Sequence, residues 1–127
     1  MQDPLELIYR GIGSDEPYFR LVEAFYEGVE SDQVLRPLYP EDLTDAKRHL
    51  ALFLIQRTGG HTTYSNERGH PRLRARHVPF RIGTAERDAW LTNMANALEK
   101  TPEFAGSRKQ LEEFFSSFAT FLMNQPG

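Results

Sequence analysis

The sequence predicts an all-α domain. Three observations lead there. Apolar residues recur at helical spacing in four long segments, no segment alternates with the period of a strand, and Gly, Pro and Ser/Thr stops fall between the periodic stretches. With 127 residues, 39% hydrophobic and 26% charged, the chain fits one domain, residues 1–127, with a single core.

The elements follow in order. Gly11-Ile12-Gly13 interrupts a short opening segment. Ser14 is placed to cap a helix whose first turn holds Asp15, Glu16 and Pro17 and whose apolar face is Tyr18, Val22, Phe25, Tyr26 and Val29. Val34, Leu35 and Leu38 then face inward in a stretch that Pro37 and Pro40 keep from becoming a long helix. The second long helix is expected from about Asp42 to Thr58, striped by Leu43, Ala46, Leu50, Phe53 and Leu54 and ended by Gly59-Gly60. Residues 61–69 show no period and read as a loop. Pro71 can open a short helix that Pro79 stops by Val78. A third long helix begins near Thr84, with Ala85, Trp90, Met94, Ala97 and Leu98 on one face. Ser107 and Gln110 have capping-box spacing before the last helix, whose face is Leu111, Phe114, Phe115, Phe118, Phe121 and Leu122. The three residues after Asn124 offer no further anchor. These helices make a packed sandwich, and periodicity leaves open whether it is an up-and-down bundle or globin-like.

Composition narrows the chemistry. The absence of cysteine excludes disulfides, iron–sulfur clusters, thiolate catalysis, Cys-based zinc sites and thioether-linked haem. The formal net charge of −3 argues against a general nucleic-acid binder. The opening residues lack the basic start and apolar run of a signal peptide, and the longest apolar run, Ala51 to Ile55, is too short for a membrane span. A cytoplasmic protein without membrane or nucleic-acid partners is the expectation. Charge is nevertheless uneven. From Arg68 to Arg87 six arginines stand against one acidic residue, Glu86, so one region is built for an anionic partner.

Four histidines could bind metal. His49 sits among charged neighbours on a helix and reads as solvated; His61 reads as loop surface; His70, before Pro71, could contact an anion. His77 lies in the last turn of a short helix with Leu73 one turn back, so its ring has a backbone carbonyl within reach as an N–H acceptor. That suits an axial haem ligand; a histidine capping a helix C-terminus is the alternative. Arg72, Arg74 and Arg76 alternate and cannot share one helix face. Arginine grips carboxylates, such as haem propionates, with paired hydrogen bonds, and Tyr64 and His70 could add donors. A plain basic surface or a phosphate site also fits. Tyr26, Tyr39 and Trp90 are polar-tipped aromatics on apolar faces, placed either as ordinary core or as converging donors.

The run from Tyr64 to Ile82, Tyr-Ser-Asn-Glu-Arg-Gly-His-Pro-Arg-Leu-Arg-Ala-Arg-His-Val-Pro-Phe-Arg-Ile, closely resembles the proximal segment of group II truncated haemoglobins. Glu86 to Leu91, Phe25-Tyr26 and Val34 to Asp42 resemble three further segments of that family. The likeness covers nearly everything from Tyr18 onward; Gly11-Ile12-Gly13 departs from the family's early Gly-Gly pair and leaves the opening helix unplaced. The resemblance implies a truncated globin, a two-on-two helical sandwich, with non-covalent haem b. It implies His77 as the iron ligand; Tyr26, Tyr39 and Trp90 as the distal hydrogen-bonding group; Ala46 and Leu50 at the distal positions; and Tyr64, Arg74, Arg76 and His70 near the propionates. The implied ligands are dioxygen, carbon monoxide, nitric oxide or small anions. A donor group that stabilises a charged acceptor by ~1.5–3 kcal/mol per bond slows ligand loss, which suits sensing, storage or redox chemistry better than bulk oxygen delivery. Peroxidase-like or nitric-oxide-oxidising turnover is the alternative, and a redox role would need a reductase.

Overall fold

The computed structural model describes residues 3–125. Seven α-helices follow one another: α1 (Ile8–Ile12), α2 (Glu16–Ser31), α3 (Thr44–Arg57), α4 (Thr63–Arg68), α5 (Leu73–His77), α6 (Thr84–Glu99) and α7 (Arg108–Phe121). Short 3₁₀ turns occupy Pro4–Leu7, Arg36–Leu38 and Pro102–Ser107. No strand occurs among the described residues, and no helix there is long and apolar enough to cross a membrane. The four long helices form two pairs, α2 on α3 and α6 on α7, joined where α2 packs on α6. This is the two-on-two sandwich.

The core is one contiguous cluster. Its centre is the inner face of α2: Tyr18, Leu21, Val22, Phe25 and Val29 are all nearly inaccessible. Each large apolar side chain so buried contributes roughly 1.5–3 kcal/mol. Tyr18 buries its hydroxyl as well, at 2.6 Å from Thr58 Oγ1. Thr58 spends its only hydroxyl proton on the Leu54 carbonyl at 2.7 Å, so Tyr18 is the donor. Burial pushes the Tyr18 phenol up to about 12.

Two glycines set backbone approaches. A Cβ on Gly28 would lie 2.1 Å from Asn93 Oδ1, so the missing side chain lets α2 meet α6. Asn93 uses that proximity, donating to Asp32 at 2.8 Å and to the Ala89 carbonyl at 2.9 Å. Gly59, at φ +97°, turns the chain after α3 so tightly that a Cβ would sit 1.9 Å from the Glu6 carbonyl oxygen.

Several local expectations are corrected. Ser14 does not cap α2. The helix starts at Glu16, and the Asp15 carboxylate is engaged elsewhere, by the Tyr9 hydroxyl at 2.7 Å and His61 Nε2 at 2.9 Å. Ser107 makes no side-chain cap on α7, because the 3₁₀ turn before it runs into the helix and supplies the Arg108 N–H with the Ala105 carbonyl. Residues 61–69 are not simply a loop. They hold α4, fixed by the Gln56 amide, whose oxygen accepts from Ser65 N at 3.0 Å and whose nitrogen reaches Ser65 Oγ at 2.7 Å. One helical turn is too short to show a period. Val34 and Phe121 are 41% and 52% exposed, whereas Leu35 and Leu122 beside them are buried. Of the three residues after Asn124, Gln125 does anchor, its N–H donating to the Ile82 carbonyl at 3.2 Å, and the other two lie outside the described residues. Asn124 holds the same stretch of chain, its N donating to the Ile82 carbonyl at 2.9 Å and its side chain bonding Ile82 N at 2.9 Å and the Phe80 carbonyl at 2.7 Å.

Candidate functional site

The helices enclose a cavity of about 510 Å³, inside the range of small-molecule and cofactor sites. Its walls come from α2 (Tyr26), the Leu35–Pro40 stretch, α3 (Ala46, His49, Leu50, Phe53), α4 (Tyr64, Arg68), the α5 region (Leu73, Arg76, His77, Phe80, Ile82), α6 (Glu86, Arg87, Trp90) and α7 (Phe118, Ala119, Leu122). Most are apolar, and the charged groups are few.

One wall carries three hydrogen-bonding aromatics brought together from distant parts of the chain. Tyr26 and Tyr39 meet edge to face with ring centres 5.4 Å apart. Trp90 is fixed from behind, tilted on Phe25 at 5.2 Å and edge-on to Phe115 at 5.5 Å. Burial is the main cause that raises the Tyr26 phenol above its ordinary value, and the neighbouring Tyr39 adds to it. Burial also pushes Tyr39 up to about 12, while the Trp90 and Tyr26 donors beside it pull the other way. Both phenols therefore keep their protons at any ordinary pH.

Another wall carries an imidazole. His77 Nδ1 lies 2.5 Å from the Leu73 carbonyl oxygen. A carbonyl only accepts, so Nδ1 is the donor, which leaves Nε2 as the ring nitrogen that could bind a metal. Among the described residues no three His, Asp or Glu side chains group into a metal site. A metal held at His77 must therefore bring its other ligands with it, as a porphyrin does.

The cavity edge differs from expectation. Tyr64 and Arg76 line it, but Arg74 and His70 do not. The Arg74 guanidinium lies over the outer ring of Phe121 at 5.2 Å, and His70 Nδ1 accepts from Arg72 N at 3.0 Å. Arg76 lines the cavity while its guanidinium stays tied to the Pro71 carbonyl at 2.7 Å and the Arg68 carbonyl at 3.3 Å. The sequence reading missed two cavity cations, Arg87 and Arg68, of which the more deeply engaged is Arg68. It stands over the Tyr64 ring, one of its N–H groups meets the His49 imidazole at 3.0 Å, and its buried Nε has no partner among the described residues. His49 is thus a half-buried cavity residue rather than a solvated one. Desolvation, then the Arg68 charge, holds its pKa below the usual histidine value. Its spacing of three from Ala46, on the same face as Phe53, was the available signal.

The bacterial-like globin family profile matches residues 7–124. The chain is 42% identical over 106 residues to the group 2 truncated hemoglobin YjbI of Bacillus subtilis (strain 168), a match covering 84% of this chain and 76% of that one. The chain belongs to the group II truncated haemoglobins. Solved structures agree. A thermostable hemoglobin from the actinobacterium Thermobifida fusca superposes with a TM-score of 0.89 at 48% identity, covering 94% of this chain and 98% of that one. A truncated oxygen-avid haemoglobin from Bacillus subtilis superposes at 0.87 with 39% identity, over 92% and 98%. As a truncated haemoglobin the protein binds haem and, through it, small gaseous ligands such as oxygen. The residues present fit that group: an apolar slot, an imidazole whose Nδ1 is engaged by a carbonyl so that Nε2 is left for a metal, and a buried Arg68 Nε lacking the acceptor that a haem carboxylate would provide.

Proposed function

We propose that residues 1–127 act as a single domain holding haem b through His77 Nε2, with Tyr26, Tyr39 and Trp90 retaining the gas ligand. The observation that carries this reading is the shared cavity: one imidazole in the donor-locked tautomer and three aromatic donors face the same space. Bound there, haem would supply an iron atom with a coordination position for a diatomic ligand.

The chain's own residues do the rest. The Leu73 carbonyl fixes the imidazole's orientation and makes it a stronger electron donor. Ala46 and Leu50 keep the donor side apolar and leave it room, so water competes poorly for the phenols. Tyr39, Tyr26 and Trp90 line a region where the fields of their donors would be weakly screened, which would stabilise a ligand that takes up negative charge. Tyr64, Arg76 and Arg68 lie where the two carboxylates of haem would meet the edge. Slow ligand release follows, suited to sensing or redox chemistry rather than bulk delivery. The oxygen-avid character of the Bacillus subtilis relative is consistent with that.

The test is titration of haemin into the apoprotein, followed by reduction and exposure to carbon monoxide. A saturable one-to-one complex with a five-coordinate ferrous spectrum is expected. Binding no stronger than to an unrelated carrier protein sinks the proposal. Peroxidase turnover well above that of free haem would favour the enzymatic reading.

A further inference from the structure

The basic stretch is only partly used by the cavity. Arg72, Arg74 and Arg81 are exposed and do not line it. Among the described residues none of the three forms an ion pair, although the protein carries three more acidic than basic side chains, 18 against 15. Beside these arginines lie two of the most exposed apolar side chains of the molecule, Val78 at 69% and Phe121 at 52%. Arg74 links them: its guanidinium covers the Phe121 ring at 5.2 Å, and Val78 follows Arg74 by one helical turn. The ground beneath is fixed, because the Asn124 side chain ties the His77 and Phe80 carbonyls to the end of α7, at 3.3 and 2.7 Å. An apolar centre with an arginine rim is the composition of a protein interface rather than of a phosphate-tracking groove.

We infer that this patch, Val78 and Phe121 framed by Arg72, Arg74 and Arg81, docks an acidic one-electron carrier protein. Charge complementarity selects an acidic partner. The patch is small, as transient electron-transfer contacts are. Its position selects the chemistry: Val78 adjoins His77 in the chain, so the surface lies one peptide from the ring that, on the reading above, holds the iron. The balanced step would be the transfer of one electron from the carrier's reduced centre, which is oxidised, to a ferric haem that His77 would hold, which would be reduced, with no bond broken. Ferric haem does not bind oxygen, so a route for reduction serves the same site.

The probe is an acidic [2Fe–2S] ferredoxin, tested against the haem-loaded chain for affinity at low and high salt and, when reduced, for the rate of ferric-to-ferrous conversion. Val78→Asp and Arg81→Glu are each expected to weaken binding and slow reduction by about tenfold or more at low salt, with smaller effects at high salt. Arg20→Glu, in the ion-paired cluster of α2, is the control and should change neither by more than about twofold. The absorption spectrum of each variant reports haem loading. A wild-type chain that takes no haem overturns the functional reading, and the docking role with it. A loaded chain whose patch variants bind and accept electrons like wild type overturns the docking alone. So does a dimer in sedimentation that Val78→Asp dissolves while ferredoxin binding is absent, or salt-sensitive binding of an oligonucleotide in its place.

Discussion

The two chemically active walls of the cavity are built in opposite ways. The donor wall is part of the core: Tyr26 is 3% exposed, Phe25 behind it is fully buried, and Trp90 is held between Phe25 and Phe115. The imidazole wall is a five-residue helix, Leu73–His77, with no buried residue, preceded by Arg72 at φ +45°, its ring oriented by one bond to a carbonyl. Folding free energy therefore fixes where the donors point, whereas the imidazole segment buries little and is held by polar bonds, those of Asn124 to the His77 and Phe80 carbonyls among them. Ligand retention and fold stability should be coupled on the first wall and separable on the second.

The largest effect expected tests that separation. His77→Ala should abolish the five-coordinate ferrous spectrum while far-UV circular dichroism of the apoprotein stays unchanged, and added imidazole should restore haem binding. Unfolding of the variant would break the contrast. Next, Phe25→Ala removes the packing under both Tyr26 and Trp90 and should cost about 3–5 kcal/mol in denaturant unfolding. It should also speed oxygen dissociation, since both donors lose their backing. A large stability loss with an unchanged dissociation rate would show that the donors are held some other way.

Trp90→Phe keeps the packing and deletes one donor. Loss of a bond to a charged acceptor, ~1.5–3 kcal/mol, corresponds to oxygen leaving about ten to a hundred times faster in stopped flow. An unchanged rate removes Trp90 from the donor group. The smallest effect is a pH dependence at the cavity edge. His49 titrates below its ordinary value of about 6.5 because it is desolvated and faces Arg68, with Arg48 adding to that and Asp45 and Glu67 opposing it. The folded state thus binds fewer protons there than the unfolded one. The stability this shift contributes is complete above pH ~6.5 and is lost as pH falls from that value through the lower folded pKa. His49→Gln should flatten the unfolding free energy between pH 7 and 5, and an unaltered slope would mean that another group carries it.

How much of this was legible depends on the distance over which each feature is decided. The long helices showed themselves because their inner faces repeat every turn; Leu21, absent from the expected stripe of α2, is buried with it. Helix α4 left no periodic trace, since it exists through Gln56 from the preceding helix. The bond from His77 to Leu73 could be foreseen because it spans four residues. Arg74 and Arg76 could not be sorted by spacing: one lies over Phe121, which belongs to α7, and the other faces the cavity.

The sequence by itself determined the class of fold, the order of the long helices and the pairing of His77 with its own helix carbonyl, because periodicity, glycine and proline stops and bonds within one turn are local properties. The tertiary structure alone decided that Tyr26, Tyr39 and Trp90 meet, that Arg68 rather than Arg74 reaches the cavity with His49, and that Arg74 covers Phe121. Those pairings join residues up to tens of positions apart, and only the packing of whole helices sets the distance between them.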